Sequence, residues 1–140
     1  MKNNFLILSI ILFSLIGCKK KYEETFEYKI FDKEICAIKN KIVEKSNKIN
    51  WLFPEVRNST GKVISENLKI DKNTTEYLFC SDLDNFKNEL GEGIIQSDIA
   101  IELDYTSSVQ EYNLRNYSCI INNTIKLNLS KQDLHKICIK

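Results

Sequence analysis

Apolar residues at Tyr28, Phe31, Ile35, Ile38, Ile42, Ile49 and Leu52 recur at spacings of three, four and seven. That period belongs to one face of an amphipathic helix, so the pattern predicts a helix over roughly 27–50. Lys33, Lys41, Glu44 and Asn47 fill the opposite side, and Lys45 interrupts the stripe. The stripe reads as a core-packing face and not as a long coiled coil. Pro54 closes the segment, because proline has no N–H to continue a helix.

From Lys62 the period falls to two. Ile64, Leu68 and Ile70 alternate with polar residues, Asp71 to Thr74 turn the chain, and Tyr77 to Cys80 form a dense apolar run. This predicts a hairpin. Ser81 and Asp84 then stand in a capping-box-like relation, Leu83, Phe86 and Leu90 share a face, and Gly91 stops a short helix. The clearest strand follows. Ile95, Ile99, Ile101, Leu103 and Tyr105 point one way; Gln96, Asp98, Glu102 and Asp104 point the other. Only Ser97 breaks the apolar side. Thr106 to Gln110 reads as an exposed loop. Tyr117, Cys119 and Ile121 alternate next, Asn122-Asn123 suits a tight turn, and Ile125, Leu127 and Leu129 return. Ser130 with Asp133 starts a last helix whose inner residues are Leu134, Ile137 and Cys138. The order α-β-β-α-β-β-β-α predicts an α+β domain. Its antiparallel sheet packs against the N-terminal amphipathic helix, with short additional helices.

Residues 1–25 read differently. Lys2 precedes a short apolar run from Phe5 to Ile16, too short to span a bilayer and typical of a secretory signal. The run ends in Leu15-Ile16-Gly17-Cys18, which resembles the lipobox of bacterial lipoproteins. The resemblance covers residues 1–18 only. It implies cleavage before Cys18, acylation of that cysteine, and membrane attachment through the acyl chains. Ile16 departs from the small residue usual at its place. Residues 18–25 form the acylated tether and 26–140 the single domain. A residue other than Asp after the cysteine implies delivery to the outer membrane. Lys19-Lys20-Lys21-Tyr22-Glu23-Glu24 reads as a charged linker, although it also resembles the surface-export tether of Bacteroidetes lipoproteins.

Composition narrows the partners. The 140 residues are 43% hydrophobic and 28% charged, with four glycines and one proline, which excludes a disordered or low-complexity chain. The 20 basic and 19 acidic residues leave no basic field for nucleic acid. Removing residues 1–17 takes away Lys2 and leaves the charges balanced. Once Cys18 is assigned to lipid, Cys36, Cys80, Cys119 and Cys138 remain, an even set that predicts two disulfides in an exported chain. Three pairings are open, and the preferred one is Cys36–Cys80 with Cys119–Cys138. No C-x-x-C pair favours zinc, and no metal or cofactor is expected.

Catalytic signatures are sparse. His135 is the only histidine and reads as a surface helix residue. Gly91-Glu92-Gly93 is too short for a phosphate or dinucleotide loop, and Asp71-Lys72-Asn73 has Glu76 where a calcium loop needs glycine. Asp98, Glu102 and Asp104 share a strand face, a spacing that a small envelope hydrolase with strand carboxylates could use. They serve better as a patch for a basic partner, with Tyr105 and Tyr112 as nearby adaptable contacts. The expectation is a non-enzymatic binding or protective lipoprotein, of immunity or inhibitor type, with a protein partner. An accessory subunit of an envelope complex, or a glycan-binding module, is the alternative.

Overall fold

The computed structural model describes residues 21–64, 69–70 and 76–139. The segment expected as a signal peptide, Cys18, Leu68 and the turn expected over Asp71–Thr74 lie outside the described residues. In chain order the elements are β1 (Lys21–Thr25), β2 (Glu27–Phe31), β3 (Glu34–Ile38), α1 (Lys41–Glu44), β4 (Lys48–Asn58), β5 (Val63–Ile64), β6 (Lys69–Ile70), β7 (Tyr77–Asp82), α2 (Leu83–Leu90), β8 (Gly93–Tyr105), β9 (Ser108–Ile121), β10 (Thr124–Lys126) and α3 (Lys131–Ile137).

No long helix covers 27–50, and the α+β expectation is corrected to a mostly β architecture, with two sheets and three short helices among the described residues. The helical stripe joins positions that a turn separates. Asp32 adopts φ 52°, a left-handed conformation that ends any helix and folds β2 back on β3 with Ile30 opposite Ile35. Tyr28, Ile35 and Ala37 then face inward, while Phe31 and Ile38 face out. Only Lys41–Glu44 is helical, capped by the Asn40 side chain, which accepts from the Val43 N–H at 3.1 Å.

The larger sheet runs β1-β9-β8-β4-β5, with β10 also on β9; the smaller runs β2-β3-β7-β6. The larger sheet is not wholly antiparallel. Residues 21–25, anticipated as tether, form β1 and pair in parallel with β9, Lys21 opposite Glu111 and Thr25 opposite Arg115. At Phe26 the chain leaves the larger sheet for the smaller. The Phe26 N–H donates to the Arg115 carbonyl at 3.4 Å, and the Phe26 carbonyl accepts from Asn116 Nδ2 at 2.8 Å.

The core lies between the sheets. Leu52, Val56, Ile95, Ile99, Ile101, Leu103 and Leu114 face Tyr28, Ile35, Ala37 and Phe79, with Phe86 and Leu90 of α2 closing one end. Tyr28 is central. Its ring meets Phe26, Phe79 and Phe86 edge-on, at 5.1, 6.0 and 6.1 Å between centroids. A bulge in β7 leaves Leu78 extra between Tyr77 and Phe79, so Leu78 and Phe79 are both buried where strict alternation would expose one. Pro54 sits inside β4, but β5 pairs with that edge only at Val56 and Arg57, so its missing N–H costs no strand pairing on that side.

Other expectations are met or shifted by a residue. The strand from Ile95 to Tyr105 lies within β8, and its apolar side is buried. Asn122 and Asn123 make the β9–β10 turn at φ 50° and 59°. Ser130 caps α3 as expected, whereas α2 is capped by Asp82 and not by Ser81. Thr106–Gln110 is no long loop: Tyr105 pairs with Ser108, so only Thr106 and Ser107 join β8 to β9. The inward residues of β9 are Leu114, Asn116, Ser118 and Ile120, out of phase with the expected Tyr117, Cys119 and Ile121. Both disulfides form in the preferred pairing, Cys36–Cys80 and Cys119–Cys138. Cys36 lies on a strand, directly opposite Cys80 across β3 and β7, and not on a helix flank. Among the described residues no helix is long and apolar enough to cross a membrane.

Candidate functional site

Alternation on β4, β8 and β9 gives the larger sheet one face for the core and one for solvent. The register defines the outer face row by row. Trp51 lies beside Glu102 and Glu111; Phe53 beside Ala100 and Asn113; Glu55 beside Asp98 and Arg115; and Lys48 beside Asp104 and Val109. Helix α3 covers the far end of this face, tied there by Cys119–Cys138. The end bearing Trp51 and Phe53 is open.

Phe53 is 68% exposed, the most exposed large apolar side chain among the described residues. Its ring centroid lies 5.6 Å from that of Trp51, and the rings are tilted by 42°. Strand parity sends both side chains outward while Leu52 and Pro54 turn in. Phe53, Glu55, Arg57, Asp98, Ala100, Asn113 and Arg115 line a shallow recess of about 480 Å³.

Charges on this face are largely paired. Arg115 Nε donates to Asp98 Oδ1 at 2.6 Å, and this bond raises the guanidinium pKa further. Gln96 Nε2 also donates to Asp98, at 2.6 Å. Arg57 pairs with Glu55. Glu102 accepts from Asn50 Nδ2 at 3.1 Å. The three acids expected as one patch thus share a face, but Asp98 is neutralised and held apart from Glu102 by Ala100.

Tyr105 and Tyr112 are not on that face. They point inward toward α1. Tyr105 Oη donates to the Ile42 carbonyl at 3.1 Å, and Tyr112 Oη donates to Gln110 Oε1 at 2.5 Å. Burial, and then the hydrogen bond and charge of Tyr112, raise the Tyr105 phenol above its ordinary value. The structure therefore brings Asp98, Glu102 and Asp104 together with Trp51 and Phe53, and separates them from the tyrosines. The aromatic pair was legible in hindsight. Trp51, Phe53, Glu55 and Arg57 continue one parity once the segment is known to be a strand.

A second recess, about 590 Å³, opens where β1 gives way to the segment after β10, beside Arg115, Tyr117 and Lys131. Lys131 Nζ lies 6.0 Å over the Tyr117 ring. Glu34, Cys36 and Cys80 cluster closely enough to suggest a metal site, but the disulfide leaves neither cysteine a thiolate to offer. His135 is exposed on α3. Comparison with protein-family models, curated proteins and solved structures finds no match to this chain.

Proposed function

We propose that this chain is an envelope lipoprotein, anchored at Cys18 in the outer membrane, that binds a protein partner without catalysing a reaction. The observation that carries the reading is the exposed Phe53 ring packed on a half-buried Trp51 on the outer sheet face, rimmed by Glu55, Arg57, Asp98 and Arg115. An aromatic anchor inside a ring of charges is the composition of a binding hot spot. The face is carried on the long paired strands β4, β8 and β9, a platform that loses little entropy on docking. Two bridges also suit an oxidising, extracytoplasmic setting. Glu102, Glu111 and Asp104 bias the lower part of the face toward basic groups.

Capture from envelope and secreted proteins with the unaltered chain, with Phe53→Asp and with Glu102→Lys/Asp104→Lys tests the face. A partner held by the unaltered chain and lost with Phe53→Asp supports it; equal retention by all three overturns it. Cys18→Ser tests the anchor: acyl labelling and membrane association are expected to disappear.

A glycan-binding role is the second reading. Phe53 and Asn113 lie on either side of Ala100 in one recess, an exposed ring with an amide across from it, a combination that could stack and hydrogen-bond a sugar. Titration with envelope polysaccharide, read by Trp51 fluorescence, separates it from a protein partner.

A further inference from the structure

We infer that the mature chain stands end-on to the bilayer, with the β8–β9 turn and its surrounding lysines held against anionic lipid headgroups. The inference rests on the Cys18 anchor proposed above and adds an orientation and a lipid-facing surface to it.

The argument begins with strand direction. β1 runs parallel to β9, so both strands start at the same end of the larger sheet. Lys21 lies level with Glu111, and β9 begins at Ser108, which pairs with Tyr105 across the turn. Three strand residues at about 3.3 Å each carry the turn roughly 10 Å beyond Lys21. The chain from Cys18 to Lys21 is also three residues, and even fully extended it reaches only about 10–11 Å. An acylated Cys18 therefore cannot lie appreciably farther out than the turn. The tether that the sequence placed over 18–25 is mostly strand, and the slack that would let the domain stand away from the membrane is missing.

The surface at that end suits the place. Thr106, Ser107 and Ser108 are exposed and uncharged, and Val109 is 51% exposed. Lys45 lines a shallow recess with Tyr105, Ser107 and Ser108. Lys48 is exposed beside Asp104. The α1–β4 junction is fixed to the turn: the Asn47 N–H donates to the Asp104 carbonyl at 2.7 Å, and Asn47 Nδ2 to Thr106 Oγ1 at 3.3 Å. Lys19 and Lys20 follow the anchor directly in sequence. Glu44 and Asp104 are the acids nearest the turn and Glu102 and Glu111 lie one outward row farther in, so the five lysines Lys19, Lys20, Lys21, Lys45 and Lys48 exceed them by one. Ammonium groups beside hydroxyls are donors that match phosphodiester oxygens, and attraction to an anionic surface acts within a Debye length, about 8–10 Å, the same distance that the tether allows.

The seating also leaves the candidate docking face accessible. Its rows are stacked along the strands away from the turn, from Lys48 through Trp51 and Phe53 to Glu55, so the face stands upright beside the membrane.

The test uses the mature acylated chain in vesicles of phosphatidylethanolamine and phosphatidylglycerol. Trp51→Phe removes the native indole, and a single reporter is placed by Val109→Trp near the turn or by Lys62→Trp at the opposite end. Brominated lipids are expected to quench the reporter at 109 several-fold more than the one at 62. Equal, weak quenching of both in vesicle-bound protein would overturn the seating while leaving the anchor intact. Protein that fails to bind vesicles and takes no acyl label would overturn both. A Gly-Ser spacer of about ten residues between Lys20 and Lys21 restores slack. It is expected to abolish the quenching at 109 but not vesicle binding, and quenching that survives it would overturn the short tether as the cause. Lys45→Glu/Lys48→Glu is expected to lower the quenching in anionic vesicles; no change would remove the lysines from the contact. If a protein in the envelope shields position 109 in place of lipid, it blocks quenching in native membranes but not in pure vesicles, and that outcome would overturn the lipid assignment in the cell.

Discussion

Tyr28 Oη donates a hydrogen bond to Ser97 Oγ at 2.9 Å, joining the two sheets across the middle of the core. Both groups are buried, Tyr28 to 1% exposure and Ser97 to 1%. The bond explains why a serine interrupts the apolar side of β8. Ser97→Ala is expected to leave the phenol without its acceptor, at a loss of about 1–3 kcal/mol in urea unfolding under oxidising conditions. Tyr28→Phe combined with Ser97→Ala should lose less than the two single changes added together. Strict additivity would show that the bond contributes nothing.

The same tyrosine sets an alkaline limit. Burial raises its pKa well above the ordinary 10.0, against a smaller lowering by the Ser97 hydrogen bond. A raised value in the folded state means that the stabilisation is complete below pH 10 and declines as pH rises beyond it, because only the unfolded chain ionises readily there. Phenolate absorbance should therefore show a component that appears only with unfolding. Tyr105, also raised, contributes to the same component, so Tyr28→Phe should shrink it without abolishing it; a component of unchanged size would exclude Tyr28.

Asn128 acts as a side-chain splice between the sheets. Its Oδ1 accepts from the Tyr28 N–H at 2.7 Å and from Asn116 Nδ2 at 2.9 Å, while its Nδ2 donates to the Tyr28 carbonyl at 3.0 Å. It does so at φ 57°, where asparagine is tolerated better than most residues. Asn128→Ala should destabilise by about 1–3 kcal/mol and expose the Tyr28 amide to hydrogen exchange. Asn128→Gly fits the backbone but lacks the amide, so it should fail to restore protection of Tyr28.

The two disulfides should fail in different ways. Their cysteines are 44 and 19 residues apart, and the loop-entropy relation gives about 4 and 3 kcal/mol respectively. Cys36→Ala/Cys80→Ala removes a brace within the smaller sheet and should lower global stability. Cys119→Ala/Cys138→Ala frees α3, whose contacts are few apart from Leu134 and the bridge. Its signature should be loss of exchange protection in α3 ahead of the sheets.

Asp98→Asn breaks the ion pair with Arg115 at a partly buried site, 14% exposed at the aspartate and 33% at the arginine. The pair lies between exposed ones, at about 0.2–1 kcal/mol, and fully buried ones, at about 3–5 kcal/mol, and asparagine keeps an acceptor for Arg115, so a loss of about 1–2 kcal/mol is expected. A loss much beyond that range would mark Asp98 as structural.

The sequence carried unequal amounts of this structure. Strand β8 was legible because both its faces are one-sided: every residue from Ile95 to Leu103 obeys period two with one core and one solvent face. The Asn122-Asn123 turn and the Ser130 cap were legible because their chemistry is local. Residues 27–50 were misread for the converse reason. Tyr28, Ile35 and Ala37 face the core, while Phe31 and Ile38 are large apolar residues on the outer side of the smaller sheet, and the mixture imitates a 3.6 period. No local signal announces that β1 joins a partner some ninety residues away, since that pairing is decided by β9. Nothing local assigns a side to Trp51 and Phe53; only the pairing of β4 with β8 does.

Strand β1 has a consequence for timing. Its partners, residues 111–115, are synthesised long after it, so a chain that emerges N-terminus first must carry 21–25 unpaired until nearly the whole domain has followed. On the lipoprotein reading proposed above, that delay is the interval in which Cys18, three residues upstream, would be acylated. Closure of the sheet over β1, the event that completes the fold, would then also shorten the leash.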